Sequence, residues 1–133
     1  MATRTTTQQR EEQRAVYDAF MAACPARKLL DRISDKWVSL VLTALAGGPR
    51  RYSELSRTIA GVSQKMLTQT LRSMERDGLV SRTVTAAVPV RVDYALTGLG
   101  ASLLPIMASI KSWAESHLEE VAGAQRTYDQ RAE

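Results

Sequence analysis

The chain has one cysteine and one histidine in 133 residues. A lone cysteine forms no internal disulfide and fits no metal-finger spacing. With His117 as the one imidazole, a histidine metal site or a His-based catalytic dyad has almost nothing to draw on, so no metal, no cofactor and no enzyme chemistry is expected. Long apolar runs are missing as well. The longest candidate, Val38 to Ala46, falls far short of the roughly 18 residues of a membrane span. Met1 to Arg10 is rich in Thr and Gln with no apolar stretch, so no secretory signal is read there and a cytoplasmic protein is expected. What is present is ordinary for a folded domain: 44% apolar and 24% charged residues, a balance that excludes wholesale disorder. The length suits one core and not two.

The net charge is a modest +4, but its location is informative. From Arg50 to Arg82 there are seven cations (Arg50, Arg51, Arg57, Lys65, Arg72, Arg76 and Arg82) against Glu54, Glu75 and Asp77, and the rest of the chain balances. One quarter of the sequence thus carries the whole excess, as expected for a patch that meets a polyanion. On charge alone, a solvated Arg-rich face is an equal alternative.

Periodicity arranges the chain around that window. Residues 1–10 and 123–133 are polar and aperiodic and are expected to be frayed tails flanking a single domain at 11–122. A helix runs from about Gln8 to Ala23 with Val16 and Phe20 on its inner face, and Cys24-Pro25 ends it, because the residue before proline is pushed out of the helical region. Pro25 opens a short helix through Leu29 and Leu30. Lys36 to Ala46 forms a third, with Val38, Val41, Leu42 and Leu45 at core spacing, stopped by Gly47-Gly48-Pro49. A short helix from Ser53 to Ile59, a turn at Ala60-Gly61-Val62 and a longer helix capped by Ser63 and ended by Gly78 make a helix-turn-helix over 51–78. Two alternating strands, Leu79–Thr85 and Val90–Leu96, form a hairpin over 79–96. Thr97 caps a last helix to about residue 121, expected to bend at Pro105. On it Leu99, Leu103, Ile106, Ile110, Trp113 and His117 make a heptad-like seam.

The helix after Ser63 has a chemistry of its own. With Leu67, Leu71 and Met74 on one face, Lys65, Gln69, Arg72 and Arg76 fall opposite, and Thr68 lies beside them. Arg and Lys suit guanine O6 and N7, Gln suits adenine N6 and N7, and Thr offers a hydroxyl or a methyl. Gln64, Lys65, Thr68 and Gln69, in the N-terminal half, are the expected base readers. Arg72 can reach base or phosphate, and Arg76 is assigned to phosphate. Ser53 and Ser63 can donate to phosphates beside backbone N–H groups, and for Ser63 plain capping is a compatible role. Arg51 is taken as a further phosphate contact. Arg82 and Arg91 flank the hairpin, whose tip, Ala86-Ala87, is poorly equipped for nucleic acid, so only a minor contribution is expected there.

Taken in order, Cys24-Pro25, Asp35-Lys36-Trp37, Gly48-Pro49-Arg50-Arg51-Tyr52, Glu54-Leu55, the run Gly61 to Thr68, Gly78-Leu79-Val80, Val88-Pro89, Tyr94-Ala95-Leu96-Thr97 with Gly100, and Trp113 resemble the HxlR-type winged helix-turn-helix transcriptional regulators, relatives of the MarR group. The resemblance covers about residues 24–114. It implies a mainly α fold with a two-stranded β-hairpin wing, a homodimer built from the terminal helices (11–23 and 97–121), and binding of double-stranded DNA through the helix after Val62. It departs from the family pattern at Asp35, where glycine is usual, at Tyr52, where Phe is usual, and at a wing tip without larger polar residues. The expected role is repression of an operator, since a small dimer on a promoter blocks polymerase without further machinery.

The seam from Leu99 to His117 is expected to meet Val16 and Phe20 of a second subunit. Cys24 is the expected input. It sits before Pro25 at a helix N-terminus, with Arg27 and Lys28 in the next turn, a setting that favours the thiolate. An oxidant or electrophile there would leave an intersubunit disulfide, a mixed disulfide or an adduct. Some regulators of the resembled type sense through a cysteine at this position, and others carry the same Cys-Pro without a known sensing role. Burial as a small apolar residue is the competing account. Two other classes are alternatives: a winged helix used for protein contacts alone, which needs no basic, amide-rich outer face, and a thiol-dependent enzyme pairing Cys24 with His117, which lie near opposite ends of the chain.

Overall fold

The computed structural model describes residues 3 and 5–131. Residues 1, 2, 4, 132 and 133, which fall in the two expected tails, lie outside the described residues. The chain divides into two units, residues 1–36 and 37–133.

The first unit holds α1 (Thr6–Ala23) and α2 (Pro25–Ile33). Helix α1 starts inside the stretch expected to be a tail, because Thr5 and Gln8 form a capping box. Thr5 Oγ1 accepts from the Gln8 amide at 3.1 Å, and Gln8 Oε1 accepts from the Thr5 amide at 2.9 Å. Two otherwise orphaned amide hydrogens are satisfied together. Cys24 is extended (φ −69°, ψ 117°) and serves as N-cap residue of α2, with Pro25 in the first turn, as a residue before proline should.

The second unit runs α3 (Lys36–Leu45), β1 (Arg50–Arg51), α4 (Tyr52–Thr58), α5 (Gln64–Arg76), β2 (Val80–Thr85), β3 (Arg91–Leu96), α6 (Gly98–Ala101) and α7 (Leu104–Arg131). Its core is made by Val38, Val41, Leu42 and Leu45 of α3, Leu55 and Ile59 around α4, Leu67, Leu71 and Met74 of α5, and Leu79 and Val80. Each such side chain contributes about 1.5–3 kcal/mol when fully buried. The end of α5 is a Schellman turn. Gly78 takes φ 77°, its amide donates to Glu75 O, and the Leu79 amide donates to Met74 O at 2.9 Å. Buried Leu79 lies after the turn and buried Met74 before it, the hydrophobic pair this motif favours.

Where two strands were expected, the sheet has three, in the order β1-β3-β2, all antiparallel. The hairpin register runs from Val80↔Leu96 to Thr85↔Arg91, and Arg50 and Arg51 pair with Tyr94 and Asp93 on the far edge of β3. A two-residue strand has no period to detect, and at Arg50-Arg51 the visible signal is charge.

The last helix also differs from expectation. Thr97 caps only the four-residue α6: its Oγ1 accepts from the Gly100 amide at 3.0 Å and donates to Gly78 O at 2.6 Å. The chain turns at Ser102-Leu103, and α7 begins at Leu104. Pro105 therefore sits in the first turn of a new helix, where a missing N–H costs nothing, instead of bending a continuous one. Helix α7 continues to Arg131, so residues 123–131 are helical and not a frayed tail. At about 1.5 Å per residue it is roughly 42 Å long.

Candidate nucleic-acid interface

The helix-turn-helix is set by short-range bonds. The Arg51 amide donates to Glu54 Oε1 at 3.2 Å, fixing the start of α4. Gly61 takes φ 79° in the turn. Ser63 caps α5 by accepting from the Met66 amide at 3.0 Å, so its capping role is realised and its hydroxyl remains exposed. On α5, Leu67, Thr70, Leu71 and Met74 are buried, while Gln64, Lys65, Gln69, Arg72 and Arg76 are exposed. One helix thus separates an apolar face from a basic, amide-rich one, as its sequence period requires.

Besides Ser63, and with Arg91 separate, the expected DNA-binding residues fall into three groups. Gln64, Thr68 and Arg72 of α5 line, with Arg82 of β2, one open cleft of about 510 Å³ that Tyr52, Leu71, Glu75 and Tyr94 also line. Lys65, Gln69 and Arg76 lie on the outer side of the same helix. Arg51 and Ser53 are exposed at the start of α4.

Arg91 stands apart. Strand alternation puts it on the opposite face of the hairpin from Arg82, and its Nε donates to Asp93 Oδ2 at 2.9 Å. That hydrogen bond, and after it the Asp93 charge, raises the Arg91 pKa above its ordinary value. Arg91 stays cationic, but any phosphate must compete with Asp93 for it. Arg50 is likewise engaged, donating from Nε to Ala44 O at 3.0 Å with Nη1 3.8 Å from Glu54. The wing tip from Ala86 to Val90 carries no charge, and Val88 is fully exposed.

One participant was missed at the sequence level. The Tyr52 hydroxyl donates to Gln64 O at 3.1 Å and lies 3.2 Å from Thr68 Oγ1. It ties the first residue of α4 to the N-terminal half of α5, and nothing local in the sequence signals a bond spanning 16 residues.

The expected interface residues are exposed in the single chain. Val16 and Phe20 are so on α1, as are Leu99 of α6 and Ile106, Ile110 and Trp113 of α7; Leu103 and His117 are half-buried. Tyr17, beside Val16, is an exposed aromatic that the sequence reading did not include. The Trp113 and His117 rings stack with centroids 4.4 Å apart, and His117 Nδ1 is 2.8 Å from Trp113 O. The break at Ser102-Leu103 separates Leu99 from the α7 part of the seam. Cys24 is half-buried and its thiol is free. Among the described residues no helix is long and apolar enough to cross a membrane.

A short helix, a glycine turn, a capped second helix with a basic outer face and a following hairpin define a winged helix-turn-helix protein. Residues 32–122 match the HxlR-like helix-turn-helix family, and the chain belongs to that family of transcriptional regulators. It is 41% identical over 102 residues to the helix-turn-helix-type transcriptional regulator YtfH of Escherichia coli, covering 77% of this chain and 81% of that one. The solved structure of a transcriptional regulator ytfH from Salmonella typhimurium matches with a TM-score of 0.71 at 37% identity, over 80% of this chain and 96% of that one. The redox regulator HypR in its oxidised form matches with a TM-score of 0.64 at 40% identity, over 70% of this chain and 96% of that one.

Proposed function

We propose that the chain works as a homodimer that binds a pseudo-palindromic operator in double-stranded DNA and represses transcription, with Cys24 as its input. The observation that carries this reading is the outer face of α5. Lys65, Gln69, Arg72 and Arg76 are exposed there beside Gln64 and Thr68, donors and acceptors suited to base edges and phosphates in a major groove. A winged helix used for protein contacts alone has no need of that composition. Ser53 and Ser63 add phosphate contacts at helix starts, Arg51 and Arg82 add cations, and Arg91 contributes to the extent that DNA displaces Asp93.

Dimerisation is supported by what a single chain leaves uncovered. Ile106, Ile110 and Trp113 form an apolar stripe on α7, and Val16 and Phe20 another on α1. Pairing the α7 stripe of one subunit with α1 of its partner buries both, and aromatics such as Trp113 and Phe20 are common anchors of such interfaces. A two-fold dimer then sets two α5 helices about 34 Å apart, one turn of duplex.

The redox part rests on the position of Cys24 before Pro25 and on the likeness to a redox regulator. Two Cys24 thiols, one from each subunit, can give a disulfide, with diamide taking up the two electrons and two protons. The test is fluorescence anisotropy with duplex DNA across about 50–200 mM salt, where log affinity should fall steeply with log salt. The titration is then repeated in diamide with wild type and Cys24→Ser. Binding indifferent to salt contradicts the DNA reading. A Cys24→Ser protein that loses DNA in diamide as wild type does makes Cys24 a packing residue and not a sensor.

A further inference from the structure

Several helical hydroxyls in this protein donate to the carbonyl one turn back: Thr43 to Ser39 O at 3.0 Å, Thr58 to Glu54 O at 2.8 Å, and Thr127 to Gly123 O at 3.0 Å. Thr68 is held differently. The carbonyl one turn back from it, Gln64 O, accepts from the Tyr52 hydroxyl at 3.1 Å. Thr68 Oγ1 lies 3.2 Å from the same tyrosine oxygen. A phenol has one proton, and a carbonyl can only accept. With the Tyr52 proton on Gln64 O, the Thr68 hydroxyl must be the donor in its pair with Tyr52.

Two consequences follow for a side chain at the border between the buried and basic faces of α5. The Thr68 proton is engaged within the helix-turn-helix, so it is withheld from guanine O6 and N7, adenine N7 and thymine O4, all of which need a donor. And because Oγ1 is turned to Tyr52, the methyl on the same tetrahedral carbon points away from it. What Thr68 retains for a base edge is a methyl group and acceptor lone pairs.

We infer that Tyr52 is a specificity-setting residue that acts through Thr68. It holds the threonine so that the methyl meets a thymine C5-methyl, and it denies Thr68 a donor role that would admit guanine and adenine as readily as thymine. The inference rests on the reading of α5 as a major-groove helix and goes beyond it, since Tyr52 is not among the residues that reading assigns to DNA.

The test is selection of bound sequences from a randomised duplex pool by wild type, Tyr52→Phe, Thr68→Val and the double variant, with total affinity and melting temperature measured alongside. Tyr52→Phe removes one oxygen and leaves the ring. Thr68 then either returns to the bond with Gln64 O or turns free, and in both cases its methyl is redirected. The expected result is loss of a thymine preference at one position per half-site, about fourfold for one methyl contact, without a uniform fall in affinity. Valine carries a methyl in both places, so Thr68→Val should keep the preference and adding Tyr52→Phe to it should change nothing. A Tyr52→Phe protein with unaltered preference at every position overturns the inference, as does one weakened equally on all sequences, since Tyr52 would then be only a brace. A wild type that enriches no sequence at all overturns the major-groove reading, and this inference with it.

Discussion

Replacing Ile110 with aspartate tests the interface with little expected effect on the fold. Ile110 is 61% exposed in the single chain, so folding of the protomer derives little from it and the protomer should keep its helical content, with a melting temperature lowered only by the stabilisation that dimerisation supplied. Full burial of an isoleucine is worth about 1.5–3 kcal/mol, so covering the exposed part contributes about 1–2 kcal/mol per copy. A two-fold interface counts the change twice, giving roughly 2–4 kcal/mol before the added cost of burying two carboxylates against an apolar stripe. The dimer dissociation constant should therefore rise by at least about 30- to 1000-fold. Sedimentation of wild type and Ile110→Asp at micromolar concentration reads this directly, with circular dichroism to show that the variant is folded. A folded variant that dimerises as tightly as wild type refutes the α7 interface, and a monomeric wild type refutes dimerisation altogether.

Two further outcomes are expected. Asp93→Asn removes the anion paired with Arg91 at 2.9 Å; because Arg91 is cationic with or without its partner, the effect is on charge and not on titration, and the slope of log affinity against log salt should steepen by about one unit per protomer. An unchanged slope would mean that the wing does not approach the backbone. Gly100→Ala places a Cβ against the backbone carbonyl of Leu79, which cannot swing aside; overpacking of this kind costs about 1–3 kcal/mol, and the melting temperature should fall by on the order of 10 °C. A shift within about 2 °C would mean that α6 moves away freely.

The helix-turn-helix was legible because each of its signals is local. The Leu67, Leu71 and Met74 spacing, the Ser63 cap and the Gly78 stop all act within a turn of where they stand. Features that depend on distant partners were not legible. Strand β1 exists because β3 offers it an edge, and the role of Tyr52 depends on a hydroxyl reaching α5. The ends of the chain misled for another reason. Helix α1 begins at a Thr5–Gln8 capping box within a polar tract, and the far end of α7 has too few apolar residues to show a period, so helices formed where hydrophobic patterning was silent. At Pro105 the signal was present but admits two readings, since proline marks either a bend within a helix or the first turn of one. The short turn at Ser102-Leu103 decides for the second. The pairing of Arg91 with Asp93 was within reach, since residues two apart on a strand share a face.

The central claim is that the outer face of α5 reads DNA. It is tested most directly by selecting duplexes from fragmented genomic DNA with wild type and with a variant in which Lys65, Gln69 and Arg72 are all alanine. Wild type should enrich a pseudo-palindrome whose half-sites lie about 10 base pairs apart, and on that site Gln69→Ala and Arg72→Ala should each cost roughly 1–3 kcal/mol of binding. The triple variant should enrich nothing. Equal enrichment of the same sites by both proteins would contradict the account.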